Sequence, residues 1–89
     1  MGLIADPLVD RVKAILEDRF PEAEVYVDRS DGAERINGPI TWAGFEDMDH
    51  VDREEAVRAA LKEELGPQKQ AVSIILAYTP REVELMKYL

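Results

Sequence analysis

The segment 46–52 holds the densest group of side chains in this sequence that could do chemistry. Its members are four acids and the only histidine: Glu46, Asp47, Asp49, His50 and Asp52. Carboxylate oxygens suit Ca²⁺ and Mg²⁺, but the segment lacks the regular loop of alternating acids, glycine and final glutamate found in calcium hands. Acids also stabilise helix starts. We therefore expect no metal site and treat Asp47, Asp49, His50 and Asp52 as candidates for an alternative function, a small divalent-metal-binding or enzymatic domain.

Nucleophilic catalysis has little support in these residues. The chain has no cysteine, so thiolate chemistry, disulfides and cysteine-ligated metal clusters are excluded. A serine nucleophile needs a base beside it, and Ser30 and Ser73 both lie far from His50 in sequence. We expect a protein that is not an enzyme and that needs no cofactor.

Two large aromatic residues, Trp42 and Phe45, flank Gly44 at the end of a predicted strand. Packing over the sheet is the usual role of such residues, whereas an exposed pair would anchor a partner. The nearby residues Met48, Arg53 and Glu54 continue this segment into a predicted helix. The candidate partner-binding residues are therefore Trp42, Phe45, Met48, Arg53 and Glu54.

The charge balance limits which partners are plausible. The 89 residues carry 11 Lys+Arg and 19 Asp+Glu, a net charge of −8, which repels phosphate backbones. The basic residues are interleaved with acids, so we expect no basic cluster and no generic nucleic-acid binding. Acids gather at 46–55, which favours a protein partner with a basic surface. The partner's identity is not encoded, and either a monomer or a weak homo-oligomer is compatible with the sequence.

Length and hydropathy predict a single domain over residues 1–89. Hydrophobic residues make up 46% of the chain, enough for one core. No apolar run approaches the roughly 20 residues that span a bilayer, and a basic leader is lacking. We expect no membrane association and a cytoplasmic location.

The periodicity predicts six elements. Asp6-Pro7 begins a helix over 7–19, and alternation predicts strands over 24–28 and 40–43, the second with a possible early start at Ile36. Turn signals stand at 30–32 and 37–39, so the loop between the two strands could close at either position, and whether the loop 30–39 is ordered is left open. An apolar stripe predicts a helix from Val51 that Gly66-Pro67 closes. A strand over 71–78 and a helix after the capping box at Thr79 complete the chain.

This order predicts an α+β fold of the sequence α-β-β-α-β-α, with a three-stranded mixed sheet and helices packed on one face. The segment 71–78 is almost continuously apolar, so we expect a central strand covered on both faces. Val83 and Met86 of the last helix are expected to face the core.

The sequence resembles the BolA family over about residues 6–82. The resemblance is carried by Phe45, Arg53, Val57, Leu61, Glu64-Leu65, Val72-Ser73-Ile74 and Thr79-Pro80. It implies a class II KH-like fold and, in many members, pairing with a monothiol glutaredoxin through a shared [2Fe–2S] cluster.

The chain departs from the family pattern at the residues that the resemblance links to the cluster. Asp47 stands where a glycine is expected, and Glu54 where the cluster-ligating histidine is expected. The loop 30–39 contains neither cysteine nor histidine. A carboxylate is a harder ligand than imidazole and a poor substitute in an iron–sulfur site. We therefore expect a non-catalytic interaction or regulatory domain that resembles BolA proteins and binds its partner through the second predicted strand and the loop into the second helix.

Overall fold

The computed structural model describes residues 6–29 and 35–88, which form three α-helices and four strands. The elements in chain order are α1 (Pro7–Arg19), β1 (Glu24–Val25), β2 (Asp28–Arg29), β3 (Ile36–Thr41), α2 (His50–Leu65), β4 (Val72–Tyr78) and α3 (Pro80–Met86). Short 3₁₀ segments at Ala43–Phe45 and Gly66–Ala71 flank α2. The predicted α+β order is confirmed, except that the sheet has four strands where three were predicted.

The helix boundaries follow from capping residues that the sequence displays. The Asp6 carboxylate accepts a hydrogen bond from the backbone N–H of Val9 at 3.3 Å, and Asp49 accepts one from the N–H of Asp52 at 2.9 Å. Gly66 ends α2 with a φ of 57°, in the left-handed region that favours glycine. The predicted limits of α1 and α2 are therefore met within a residue.

The sheet is built around β3. Strands β1 and β2 are antiparallel to β3, whereas β4 is parallel to it. The predicted mixed sheet with a crossover through α2 is confirmed. The first predicted strand is divided into β1 and β2, because the chain between them passes close to Gly38. That glycine has a φ of 147°, and a Cβ there would collide with the carbonyl oxygen of Tyr26.

Of the two positions at which the loop could close, 37–39 is excluded, because these residues lie inside β3, which has the early start at Ile36. The ladder between β3 and β4 is irregular between Ile36 and Gly38, and this irregularity accommodates the glycine and the proline that follows it. Pro39 keeps one ladder bond by accepting from the N–H of Tyr26 at 3.0 Å. The strand also ends at Thr41 rather than Ala43. The turn predicted at 30–32 lies outside the described residues.

The core lies between the helices and one face of the sheet. Alternate strand residues such as Val25, Ile40 and Ala77 are buried, whereas Tyr26 and Leu76 on the opposite face are exposed. The helices cover only one face, as predicted. The buried hydrophobic residues are Val12, Ile15, Leu16, Phe20, Val25, Val27, Ile36, Ile40, Phe45, Val57, Ala60, Leu61, Leu65, Ile75 and Ala77.

The prediction that the 71–78 strand is central and covered on both faces is wrong. In the part of the chain that the structure describes, β4 pairs with β3 alone, so it is an edge strand. Ser73 is exposed, Ile74 is 64% exposed and Leu76 is 47% exposed. An uninterrupted apolar run does not distinguish a covered strand from one whose outer apolar side chains face solvent.

The last helix is held mainly by its first turn. Thr79 and Glu82 form the predicted reciprocal capping box. Val83 is half-buried, but Met86 is 41% exposed, so its predicted inward orientation is wrong. The helix has only seven residues, and Glu84, Leu85 and Met86 of its second turn are exposed. No helix within 6–29 and 35–88 is long and apolar enough to span a membrane.

Candidate functional site

The five candidate partner-binding residues differ in how much surface they present. Phe45 is fully buried and Arg53 is 5% exposed, whereas Trp42 and Met48 are half-buried and Glu54 is exposed. The structure brings Trp42, Phe45, Met48 and Arg53 together around the start of α2. Glu54 lies one turn into α2 and lines a different surface, the groove between α2 and β4.

Trp42 is the half-exposed member of an aromatic cluster with Phe20 and Phe45. Its ring centroid lies 5.1 Å from each of theirs, in edge-to-face geometry. The indole N–H donates to the carbonyl of Pro21 at 2.8 Å. The ring also lies against Gly44, where a Cβ would collide with it. Trp42 is therefore held in one orientation while part of its surface stays in contact with solvent.

Arg53 joins four segments of the fold. Its Nε donates to the carbonyl of Met48 at 2.9 Å, and its Nη1 donates to the carbonyl of Ala77 at 3.4 Å. The same Nη1 forms an ion pair with Glu82 Oε1 at 2.6 Å. A buried guanidinium is costly unless its donors are used, and these contacts use the donors of Nε and Nη1. Arg53 thus connects α2 to the preceding loop, the end of β4 and α3.

Glu82 completes this network. Its Oε1 also accepts from the N–H of Thr79 at 2.9 Å, within the capping box of α3. The hydrogen bond from Arg53, and then the one from the Thr79 backbone, hold the pKa of the Glu82 carboxyl below its usual value, although partial burial acts in the opposite direction. Glu82 is therefore ionised at neutral pH, which keeps α3 attached to the buried arginine.

The acidic segment lies on the surface beside the aromatic cluster. Asp49 is the N-cap of α2, which is the alternative role considered for the acids here. Asp47, His50 and Asp52 are exposed. Among residues 6–29 and 35–88, no three or more His, Cys, Asp or Glu side chains are grouped so that they could hold a metal ion. The geometry thus adds nothing to the metal-binding alternative.

A basic cluster, which the sequence predicted to be absent, lies where α2, the 66–71 segment and the start of β3 meet. Arg35, Arg58, Lys62 and Lys69 line one open depression there. Arg58 and Lys62 are one helical turn apart, a spacing that could have indicated half of the cluster. The other half could not be predicted, because Arg35 and Lys69 are brought alongside only by the crossover from α2 to β4.

This depression continues into a groove of about 300 Å³ between α2 and the edge of β4. Its apolar lining comes from Val57 and Leu61 of α2 and from Val72, Ile74 and Ile75 of β4. Arg58, Lys69 and Glu54 also line it, so both basic side chains are shared with the depression. We call the groove and the depression together the basic groove.

Comparison with solved structures identifies the fold. BolA1 from Arabidopsis thaliana is 28% identical, with a TM-score of 0.68 over 89% of this chain and 98% of that protein. The BolA domain of SufE1 from Arabidopsis thaliana is 23% identical, with a TM-score of 0.65 over 89% of this chain and 99% of that domain. No family model and no curated protein sequence matches the chain.

The order α-β-β-β-α-β-α, in which β1 and β2 are the two parts of the first predicted strand, defines a small α+β domain with a mixed sheet and a one-sided helical layer. Within that class, the two matched structures show that the chain has a BolA-like fold. The fold predicted from the resemblance is confirmed. The role of Glu54 in place of a histidine stays a prediction.

Proposed function

We propose that this chain is a non-catalytic, BolA-like interaction domain that binds a protein partner through the end of β3 and the loop into α2. The carrying observation is that Trp42 is rigidly packed and yet partly exposed. A preorganised aromatic side chain loses little conformational entropy when a partner covers it, and aromatic residues of this kind often dominate binding energy.

The residues around Trp42 have different roles in the proposed binding surface. Half-buried Met48 extends the apolar surface, and exposed Glu46 and Asp47 form a charged rim. Buried Phe45 and Arg53 do not contact the partner but hold the loop in position. A partner with an apolar recess framed by Lys or Arg fits this arrangement, because rim charges increase the association rate and select the partner.

The experiment begins with the full chain as bait in a lysate of its source cell. Mass spectrometry identifies the captured proteins, and calorimetry then measures the binding of each purified candidate. We expect a stoichiometric complex that survives moderate salt and shields Trp42 fluorescence from iodide quenching. The variant Glu46→Lys/Asp47→Lys should weaken binding at least about tenfold, since both rim charges are reversed.

The matched control is Glu17→Lys/Asp18→Lys, which makes the same charge change at exposed positions of α1. It should change the dissociation constant no more than about twofold. Met48→Ala should weaken binding without abolishing folding, which circular dichroism would check. The proposed surface is refuted if the rim variant binds like the α1 control, or if no purified partner protects Trp42 from iodide.

A further inference from the structure

The basic groove lies along an unused strand edge. Among the described residues β4 pairs only with β3, and four consecutive β4 residues, Val72, Ser73, Ile74 and Ile75, line the groove. Consecutive residues of a strand point to opposite faces, so a surface lined by all four runs along the strand's edge. Free backbone N–H and C=O groups at such an edge can pair with another extended chain.

The groove also has the pockets that an added strand needs. Val57 and Leu61 are separated by one turn of α2 and are buried at its apolar base, and Ile74 is 64% exposed at its margin. In recognition by strand addition, backbone hydrogen bonds provide affinity and alternate side chains enter pockets that provide specificity. A groove of about 300 Å³ accommodates a few side chains rather than a folded domain.

The charge at this site is opposite to that of the whole molecule. The chain has a net charge of −8, but Arg35, Arg58, Lys62 and Lys69 surround one depression. Of these four residues, only Arg58 forms an ion pair with another described residue, Glu55, at 2.7 Å. Both side chains are exposed, so this pair is weak and a ligand's carboxylate can replace Glu55. Glu54 also lines the groove and offsets one of the two positive charges of Arg58 and Lys69, while Arg35 and Lys62 add positive charge in the depression. The basic groove as a whole therefore keeps a positive charge for an acidic ligand.

We propose that the basic groove binds an extended acidic segment of a partner protein, which adds as a strand beside β4. Its acidic residues meet Arg58 and Lys69, and its alternate apolar residues contact exposed Ile74 above the base at which Val57 and Leu61 lie almost wholly buried. This site is separate from the surface around Trp42 and does not depend on the function proposed for that surface. A nucleic acid is disfavoured because the apolar base of the groove offers nothing to phosphates, and the net charge of −8 repels a polyanion.

The test uses the full chain and a short synthetic peptide in which Glu or Asp alternates with Val or Ile. Titration followed by amide NMR should shift the signals of residues 72–76 and 54–62 before others, and the affinity should fall as salt is raised. The same peptide with a central proline should bind more weakly, because proline removes a backbone donor and does not continue a ladder.

The matched variants separate charge at the groove from charge in general. Arg58→Glu/Lys69→Glu should reduce peptide affinity at least about tenfold. The control Lys13→Glu/Arg81→Glu makes the same charge change at exposed sites that do not line the groove. It should reduce the affinity less than about threefold. Circular dichroism and thermal unfolding would check that both variants fold.

Four results would overturn the proposal. The first is no binding at millimolar peptide, and the second is equal loss of affinity in the two charge-reversal variants. The third is binding of single-stranded DNA as tight as that of the peptide, which would assign the groove to nucleic acid. The fourth is a concentration-dependent shift of the β4 amides without peptide, which would assign the edge to a second copy of the chain.

Discussion

At the scale of single residues, the main distinction is between side chains that contact a partner and side chains that hold them in place. The sequence predicts that Phe45 and Arg53 are partner-binding residues, but both are buried. Arg53 is a candidate because it belongs to the segment that leads into α2, and no sequence pattern reveals its three acceptors on three separate segments. Burial of a charge depends on tertiary contacts, so it could not be predicted here.

The Arg53 network predicts a specific mutational result. In Arg53→Lys the single ammonium group cannot reach the Met48 carbonyl, the Ala77 carbonyl and Glu82 together, so buried acceptors lose partners. We expect the free energy of unfolding to fall by about 1–3 kcal/mol. Chemical denaturation followed by circular dichroism would measure it.

The control is Arg58→Lys, the same exchange at an exposed position of the same helix. It should change the free energy of unfolding by no more than about 0.5 kcal/mol. Equal denaturation midpoints for the two variants would contradict the structural role assigned to Arg53.

At the scale of elements, local signals predicted the helices better than the sheet. Short-range hydrogen bonds mark the helix starts at Asp6-Pro7, Asp49 and Thr79. The helix starts predicted from these residues are confirmed. Asn37-Gly38-Pro39 is one of two turn signals in the sequence, but it lies within the central strand β3. The sequence does not show that Gly38 passes the Tyr26 carbonyl, because this approach depends on pairing with the first strand segment.

Gly38 should therefore be the glycine least tolerant of substitution. Gly38→Ala places a Cβ against backbone at a positive φ of 147°, so it should cost at least about 2 kcal/mol of unfolding free energy or prevent folding. Thermal and chemical unfolding would measure the cost.

Gly66→Ala provides the comparison, because Gly66 also has a positive φ but has open space around its Cα. This change should cost only about 1–2 kcal/mol, the penalty of a positive φ alone. An equal cost at both positions would show that the close approach to Tyr26 is not what requires a glycine at residue 38.

At the scale of the whole molecule, acidic and basic side chains form two local groups. Acids gather around the start of α2, and four basic residues surround one depression near its other end, where Glu63 and Glu64 are paired with Arg19. The sequence predicts the net charge of −8 and the acidic segment, since both are read along the chain. The basic groove combines residues from three elements, so only the folded topology reveals it.

Two ion pairs that connect distant parts of the chain predict how stability depends on pH. Asp6 pairs with Arg29 at 2.6 Å, and Glu82 pairs with Arg53 at 2.6 Å. The hydrogen bond from each arginine lowers the pKa of its carboxyl partner. A carboxyl with a lowered native pKa stabilises the fold above its unfolded pKa, and this stabilisation is lost as the pH falls through the native pKa.

We therefore expect the free energy of unfolding to decrease on acidification below about pH 4.3, the usual pKa of glutamate. The decrease should be shallower in Asp6→Asn/Glu82→Gln, which lacks both titrating groups and keeps side chains of similar size. Denaturation curves at a series of pH values would measure both proteins. Parallel pH profiles would show that these two pairs do not contribute to the acid sensitivity.

The free edge of β4 also affects how the protein behaves in concentrated solution. An uncovered strand with Ile74 and Leu76 exposed is a template on which identical chains can stack. Mutual repulsion between molecules of charge −8 opposes this stacking at neutral pH. Near the isoelectric point of about 4.5 that repulsion vanishes. Association through the β4 edge is then unopposed by net charge, so we expect the protein to be least soluble near this pH.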